Sequence, residues 1–259
     1  MLTANETIAE KFYWLNAPFI YRIHEEPDIE KIKEANKFLY NLNLKIKANK
    51  DKIHSKAFAK VLDEVKGKEE ERVVSNLLLR TLKLAKYSDE NMGHFGIASK
   101  YYCHFTSPIR RYPDLFIHRV ISHYIECGYD VDNEFIEKYK TLANQAAINS
   151  SEREKIATKT EREADKIKKA EFMENHVGEE YEGVVSSITS FGMFVELENT
   201  VEGLVGFRDM GDEYFIYDQD RKILVGENSK KTFKIGDIVR IRVKDANKVL
   251  RQVDFEIAK

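Results

Sequence analysis

The sequence predicts an α+β chain, mostly helical over residues 1–175 and closing with a small β-barrel over residues 176–259. Two changes of pattern along the chain carry this expectation. Up to about residue 175, apolar residues recur at helical spacing. After "NHVGEEYEG", glycines become frequent and about five short alternating runs follow within about 80 residues, which is how a small closed sheet reads. Composition agrees with a folded chain: 42% of the 259 residues are apolar and 33% charged. No run of about 18 apolar residues exists, so no membrane span is expected. The opening "MLTANETIAEKFYWL" lacks a basic stretch and a small-residue cleavage site and does not read as a signal peptide.

The elements follow in order. Thr3 with Glu6 three residues on forms a capping-box pattern before the first helix. "APFIYRIHEEP" alternates Phe19, Tyr21 and Ile23 against Ile20, Arg22 and His24, a short strand ended by Pro27. Helical patterns return at "DIEKIKEANKFLYNLNL", capped by Asp28, at "SKAFAKVLDEVKGK", and at "EEERVVSNLLLRTLKLAKYS", whose acids precede its bases as the helix dipole favours. "GIASKYYCHF" reads as an extended piece and "PDLFIHRVISHYI" as a helix with Pro113 at its first position. A long helix is predicted from about Glu134 to Met173, with Ile156, Ala164 and Ile167 on one face. The barrel runs are "YEGVVSSI", "GMFVELE", "EGLVGF", "KILVG", "DIVRIRVKD" and "QVDFEIA".

Cys103 and Cys127 have no metal-ligand spacing and form no disulfide framework. They fit a reducing, cytoplasmic compartment and are expected as small core residues. The net charge of −2 counts against a generally basic nucleic-acid binder, so any such surface must come from local clustering.

One segment concentrates unusual chemistry. In "HFTSPIRRYPDLFIHR", Pro108 and Pro113 pin the backbone on either side of Arg110 and Arg111, close to a predicted helix start. Helix starts and arginine forks both favour phosphate. A surface ion pair, with Arg111 simply holding Asp114, is the competing reading, and the residues alone leave both open. Beside two cations Asp114 should stay ionised and orient an arginine rather than act as a base. His104 and His118 are read as structural.

The longer unit resembles the signature of the RNB family, the ribonuclease II and ribonuclease R group of exoribonucleases. The matching residues are His94-Phe95-Gly96, Tyr102, Thr106-Ser107-Pro108, Arg110-Arg111-Tyr112, Asp114 and His118. The resemblance covers nearly the whole chain and implies a mostly helical C-terminal portion of an RNB catalytic domain. It implies that Arg110 reaches the scissile phosphate, with Arg111, Thr106, Ser107 and Tyr112 shaping the phosphate pocket. It places Glu161, on the long helix, near a terminal nucleotide.

The same resemblance implies Mg²⁺ held by four aspartates in an upstream part of that domain. Asp130 and Asp132 in "YDVDNE", and Asp218 and Asp220 in "YDQD", are the nearest substitutes and read as loop acids. The chain is therefore expected to be the C-terminal part of such an enzyme and inactive alone.

The final segment resembles the S-one RNA-binding domain, a five-stranded OB-fold β-barrel, through "FGMFVEL", "GLV" and "VKDANKVLRQVDFEI". That resemblance puts Phe191 and Phe194 on the binding side as stacking platforms. Phe207 stands where a histidine is usual and is expected to stack in its place or to weaken the site. From Gly178 onward the chain has 12 basic and 16 acidic residues, so binding needs a local patch, for which Arg240, Arg242, Lys244 and Arg251 are candidates. "DMGDEYFIYDQDRKILVGENSKKTF" reads as an insertion whose aromatics cover the barrel or meet RNA.

Three functions remain at this stage. They are part of a processive 3′-to-5′ exoribonuclease, a non-catalytic module for single-stranded or 3′-tailed RNA, and a protein-docking adaptor. No membrane and no obligate protein partner is expected.

Overall fold

The computed structural model describes residues 1–40, 42–47, 53–68, 71–211, 213–219 and 223–258. Its packing divides into two compact units, Met1–Ile156 and Ala157–Lys259. The division falls inside one long helix, and each unit has its own core.

The first unit opens with α1 (Leu2–Trp14). Thr3 does not cap it: the Asn5 amide already bonds the Met1 carbonyl at 3.1 Å, so Thr3 lies inside the first turn. β1 (Tyr21–Ile23) follows, then α2 (Ile29–Tyr40), α3 (Ser55–Val65), α4 (Glu71–Thr81) and β2 (Lys86–Ser88). The helix predicted through "KLAKYS" stops at Thr81, because Lys86–Ser88 pairs antiparallel with β1 and Tyr87 sits opposite Arg22. β1 is covered on both sides rather than alternating: Phe19, Ile20, Tyr21, Ile23 and His24 are all buried.

The segment "GIASKYYCHF", predicted as a strand or extended piece, opens with a 3-10 turn over Phe95–Ile97 and a left-handed Ala98 and continues as an extended stretch. That stretch is tied to β1 by a bond from the Arg22 amide to the Tyr102 carbonyl, 2.9 Å long. α5 (Tyr112–Glu126) starts one residue before Pro113, with Arg111 as its N-cap. Cys103 is buried as expected. Cys127 is exposed, because it is the C-cap of α5, its amide bonded to the His123 carbonyl.

α6 (Asn133–Met173) has the predicted limits, with the Asp132 carboxylate accepting the Phe135 amide at its start. Its predicted apolar stripe is not buried: Ile156 is 55% and Ile167 39% exposed, and Ala164 is exposed. The two cores take only the ends of the helix.

The main core of the first unit stacks Phe12 on Phe19, ring centroids 4.9 Å apart, against Ile117 and Val120 of α5 and Phe135, Ala143 and Ala147 of α6. α2, α3 and α4 close a smaller core around Leu39, Phe58, Val61 and Val74, with Phe95 edge-on to Phe58.

In the second unit, β3 (Glu180–Thr189), β4 (Gly192–Leu197), β5 (Glu202–Gly206), β6 (Phe215–Asp218), β7 (Ile223–Gly226), β8 (Thr232–Lys234), β9 (Ile238–Asn247) and β10 (Gln252–Ile257) follow in order. Five of them close a barrel in the order β10-β5-β4-β3-β9, with β5 and β10 parallel and the other pairs antiparallel. The "KILVG" run is not a barrel strand. It forms β7, the middle of a separate three-stranded sheet with β6 and β8. Phe215, Leu224 and Phe233 of that insertion pack on the barrel core, and Tyr214 stays exposed. Ala170 and Met173 at the end of α6 join the same core. Among the described residues no helix is long and apolar enough to cross a membrane.

Gly203 faces the buried Phe255 ring, and a Cβ there would fall 2.5 Å from its Cε2. Gly203→Ala should therefore cost about 1–3 kcal/mol through overpacking. Gly206→Ala should be nearly neutral, its Cβ meeting nothing closer than Asp209 Oδ2 at 3.5 Å. Urea denaturation of the two variants checks the contrast.

Candidate functional site

The turn between the extended stretch and α5 is held by Asp114, the first-turn acid of that helix. Its side chain is fully buried, and Oδ1 accepts both the Ser107 amide at 2.7 Å and Arg111 Nη2 at 2.8 Å. The Arg110 and Arg111 amides both donate to the Ser107 carbonyl, at 3.3 and 3.2 Å, closing a tight turn over Pro108 and Ile109. Removing one partner of such a buried pair costs about 3–5 kcal/mol, because the other charge is stranded. Arg111 therefore shapes the loop through Asp114. Its Nε, like Asp114 Oδ2, has no hydrogen-bond partner among the described residues.

Arg110 differs. Its side chain is exposed and makes no hydrogen bond or ion pair with any described residue. The hydroxyls of Thr106 and Ser107, both half-buried, are likewise without a hydrogen bond among the described residues. Tyr112 is exposed at the start of α5. A stiff turn thus presents one free guanidinium, two free hydroxyls and a ring.

Residues remote in sequence floor this turn. Arg22 on β1 is mostly buried. It meets Glu154 of α6 at 2.6 Å and lies over the Tyr87 ring, 4.6 Å from its centroid. The Tyr87 hydroxyl, pushed up to about 12 by burial, keeps its proton and shares a hydrogen bond with His104 Nδ1 at 2.9 Å. His104 is held down to about 3, first by burial and then by the charges of Arg111, Arg22, His94 and Arg110. His94 is lowered to about 4 by burial, with His24 and Arg22 adding to it. Both rings are neutral near pH 7 and add no charge beside the turn. His118 bonds the Phe105 carbonyl at 2.9 Å and stacks on that ring, a structural role. Arg22, Tyr87 and Glu154 carry no local sequence signal, since their meeting joins residues up to 132 positions apart.

No described group of three or more His, Cys, Asp or Glu side chains converges as a metal site. Asp130 Oδ1 accepts the Val131 amide and Asp132 caps α6. Asp218 ends β6 and has a partner within the protein, and Asp220 lies outside the described residues. The described carboxylates do not fit the Mg²⁺ that the sequence resemblance implied.

On the barrel, Phe191 occupies the β3–β4 turn, 54% exposed, edge-on to the half-buried Phe194 at 6.2 Å. Gly192 makes this possible, since a Cβ there would fall 2.3 Å from the Val205 carbonyl oxygen. Phe207 sits in a 3-10 turn, half-buried on the core and tilted against Tyr214, and does not join the Phe191 pair.

Arg240, Arg242 and Lys244 share the exposed face of β9 but are engaged. Arg240 and Arg242 bind Glu180 at 3.1 and 2.7 Å, Arg242 also reaches Glu256, and Lys244 binds Asp209 at 2.6 Å. Arg251 is paired with Glu163. The expected free patch on β9 is thus neutralised by neighbouring acids. Glu161 is exposed on α6, without a hydrogen bond or ion pair among the described residues.

Residues 1–126 match the RNB domain and residues 174–258 the S1 RNA binding domain. Ribonuclease R 1 of Lactococcus lactis subsp. lactis is 45% identical over 256 residues, covering 99% of this chain and 31% of that protein. Ribonuclease R of Thermotoga maritima is 41% identical over 256 residues, covering 98% and 36%. The solved structure of Mycoplasma genitalium RNase R in complex with ribose methylated single-stranded RNA superposes with a TM-score of 0.88 at 32% identity, covering 100% of this chain and 40% of that one. The chain spans about a third of the length of the curated relatives it matches.

The lowered His104 sets a pH dependence. The unfolded chain takes up the imidazole proton near 6.5, whereas the folded chain refuses it down to about 3. The stability involved is present above about pH 6.5 and drains as pH falls toward about 3. His104→Asn, which keeps an acceptor for Tyr87, should flatten the fall in urea midpoint between about pH 7 and about pH 4.

Proposed function

The chain belongs to the RNB family of ribonucleases and carries an S1 RNA binding domain, and from that premise we propose that it is the C-terminal part of a 3′-to-5′ exoribonuclease. Residues 1–175 form the end of the catalytic domain and residues 176–259 the RNA-binding barrel. The enzyme so completed hydrolyses single-stranded or 3′-tailed RNA processively to nucleoside 5′-monophosphates in the cytoplasm.

The observation that carries this reading is the free guanidinium of Arg110 on a turn locked by a fully buried Asp114. Hydrolysis of a phosphodiester builds negative charge on the phosphate oxygens. A cation whose backbone is fixed in advance stabilises that charge without reorganising at the moment of reaction. Thr106 and Ser107 offer hydroxyl donors to the same phosphate, Tyr112 offers a ring beside it, and Arg111 keeps the loop in shape. Glu161 is assigned, by resemblance alone, to the terminal nucleotide.

Mg²⁺ chemistry is assigned to aspartates in a part of the relatives that this chain does not span. One fact supports this: the chain covers 31% and 36% of two ribonuclease R relatives. On this reading the chain alone binds RNA and does not shorten it. A non-catalytic single-stranded RNA-binding module is the second reading, favoured by the S1 RNA binding domain match over residues 174–258.

With labelled 3′-tailed RNA and Mg²⁺, the purified chain should retard the RNA and leave its length unchanged. Adding the separately expressed preceding part of an RNB domain should release nucleoside monophosphates, and Arg110→Ala should lower that rate by about 10²–10³. Nucleotide release by the chain alone would sink the division of labour. Undiminished release by the Arg110→Ala assembly would remove the phosphate role. Retardation with no release after complementation would favour the binding module.

A further inference from the structure

The second unit holds an open trough of about 980 Å³ between the last turns of α6 and the barrel strands β4, β5 and β10. Phe191, Phe194 and Leu204 form its apolar side. Strand register puts Phe194 opposite Leu204, and Leu204 opposite Asp254, so the apolar pair ends on a carboxylate in one row across the barrel surface.

The other side is helical. Arg162, Lys166 and Lys169 line it, spaced four and three residues apart and hence on one face of α6, together with the carboxylates of Glu163 and Asp165. Three of the trough's four cations are already engaged. Lys169 donates to the Thr200 carbonyl at 2.7 Å, Lys166 lies 3.6 Å from Glu163, and Arg251 is paired with the same Glu163. Arg162 has no hydrogen bond or ion pair among the described residues. The cations that the barrel's own β9 displays are paired with Glu180, Glu256 and Asp209 and lie outside the trough. In the trough, the exposed Phe191 ring and a guanidinium without a described partner therefore meet.

We propose that α6 supplies the phosphate-binding wall of the barrel's RNA site. A single-stranded segment lies along the trough with a base on Phe191 and the neighbouring phosphate on Arg162, and Glu163 restrains the affinity by holding Arg251 and Lys166. Single-stranded nucleic acid is the ligand whose chemistry matches both walls, because it alternates flat π-faces with anionic links at the reach of one side chain. The inference rests on the RNA-binding reading above and adds to it a helical wall and a restraining carboxylate.

The three residues have distinguishable signatures. Losing a phosphate contact lowers affinity and also the steepness of its salt dependence, by about 0.7 in the log–log slope per contact on a single strand. Losing a stacking ring lowers affinity and leaves that slope unchanged. Freeing two cations raises both.

Fluorescence anisotropy of a short labelled oligouridine against the full 259-residue chain, over a salt series, reads all of these. Arg162→Ala should weaken binding about five- to tenfold and flatten the slope. Glu163→Gln should tighten binding and steepen the slope, and Phe191→Ala should weaken binding about tenfold with the slope kept. Arg240→Ala should leave both unchanged. All four sites are exposed or partly exposed, and circular dichroism confirms folding before the titrations. Unchanged affinity and slope in both Arg162→Ala and Glu163→Gln, with Phe191→Ala still weakened, would overturn the helical wall and leave the barrel reading standing. No binding by the unaltered chain at low salt would overturn both.

Discussion

The arginine turn depends on one buried carboxylate. Asp114 is fully shielded from water at the start of α5, and its Oδ1 draws in both the Ser107 amide and the Arg111 guanidinium. A charge in that position is tolerable only when it is paired and hydrogen-bonded, so the loop has little freedom to adopt another shape. The stiffness is what gives Arg110 its meaning. Of two adjacent arginines, one is consumed in holding the turn and the other is left for a ligand.

The surroundings reinforce the same division. Arg22, pinned by Glu154 and laid over Tyr87, is likewise spent in an ion pair, which leaves Arg110 as the guanidinium without a described partner. His94 and His104 cannot take up protons near neutral pH, because burial and those guanidiniums work together against the charged ring. The local field is thus set by groups that do not titrate in the physiological range.

The barrel solves a different problem, since its segment has more acids than bases. Its acids are placed to silence one set of cations: Glu180, Glu256 and Asp209 cover the β9 face. Arg162 on α6, a residue outside the strands altogether, has no such partner among the described residues. A net charge of −2 over the whole chain is compatible with nucleic-acid binding because charge is sorted locally. The insertion sheet β6-β7-β8 contributes Phe215, Leu224 and Phe233 to the barrel core, which accounts for most of its aromatic content.

Local patterns in the sequence determined the helix limits of α6, most of the barrel strands and the proline-pinned turn, because each depends on neighbours within a few residues. Even there, competing local signals misled: "KYS" looked like the tail of a helix and was recruited by β1, and "KILVG" looked like a barrel strand but pairs with β6 and β8. The tertiary structure alone decided which charges are spent. Arg111 rather than Arg110 meets Asp114, the β9 arginines find Glu180 from another strand, and Arg22 finds Glu154 across 132 residues. An ion pair forms wherever the fold brings two side chains within reach, and that distance is a property of packing, not of spacing along the chain.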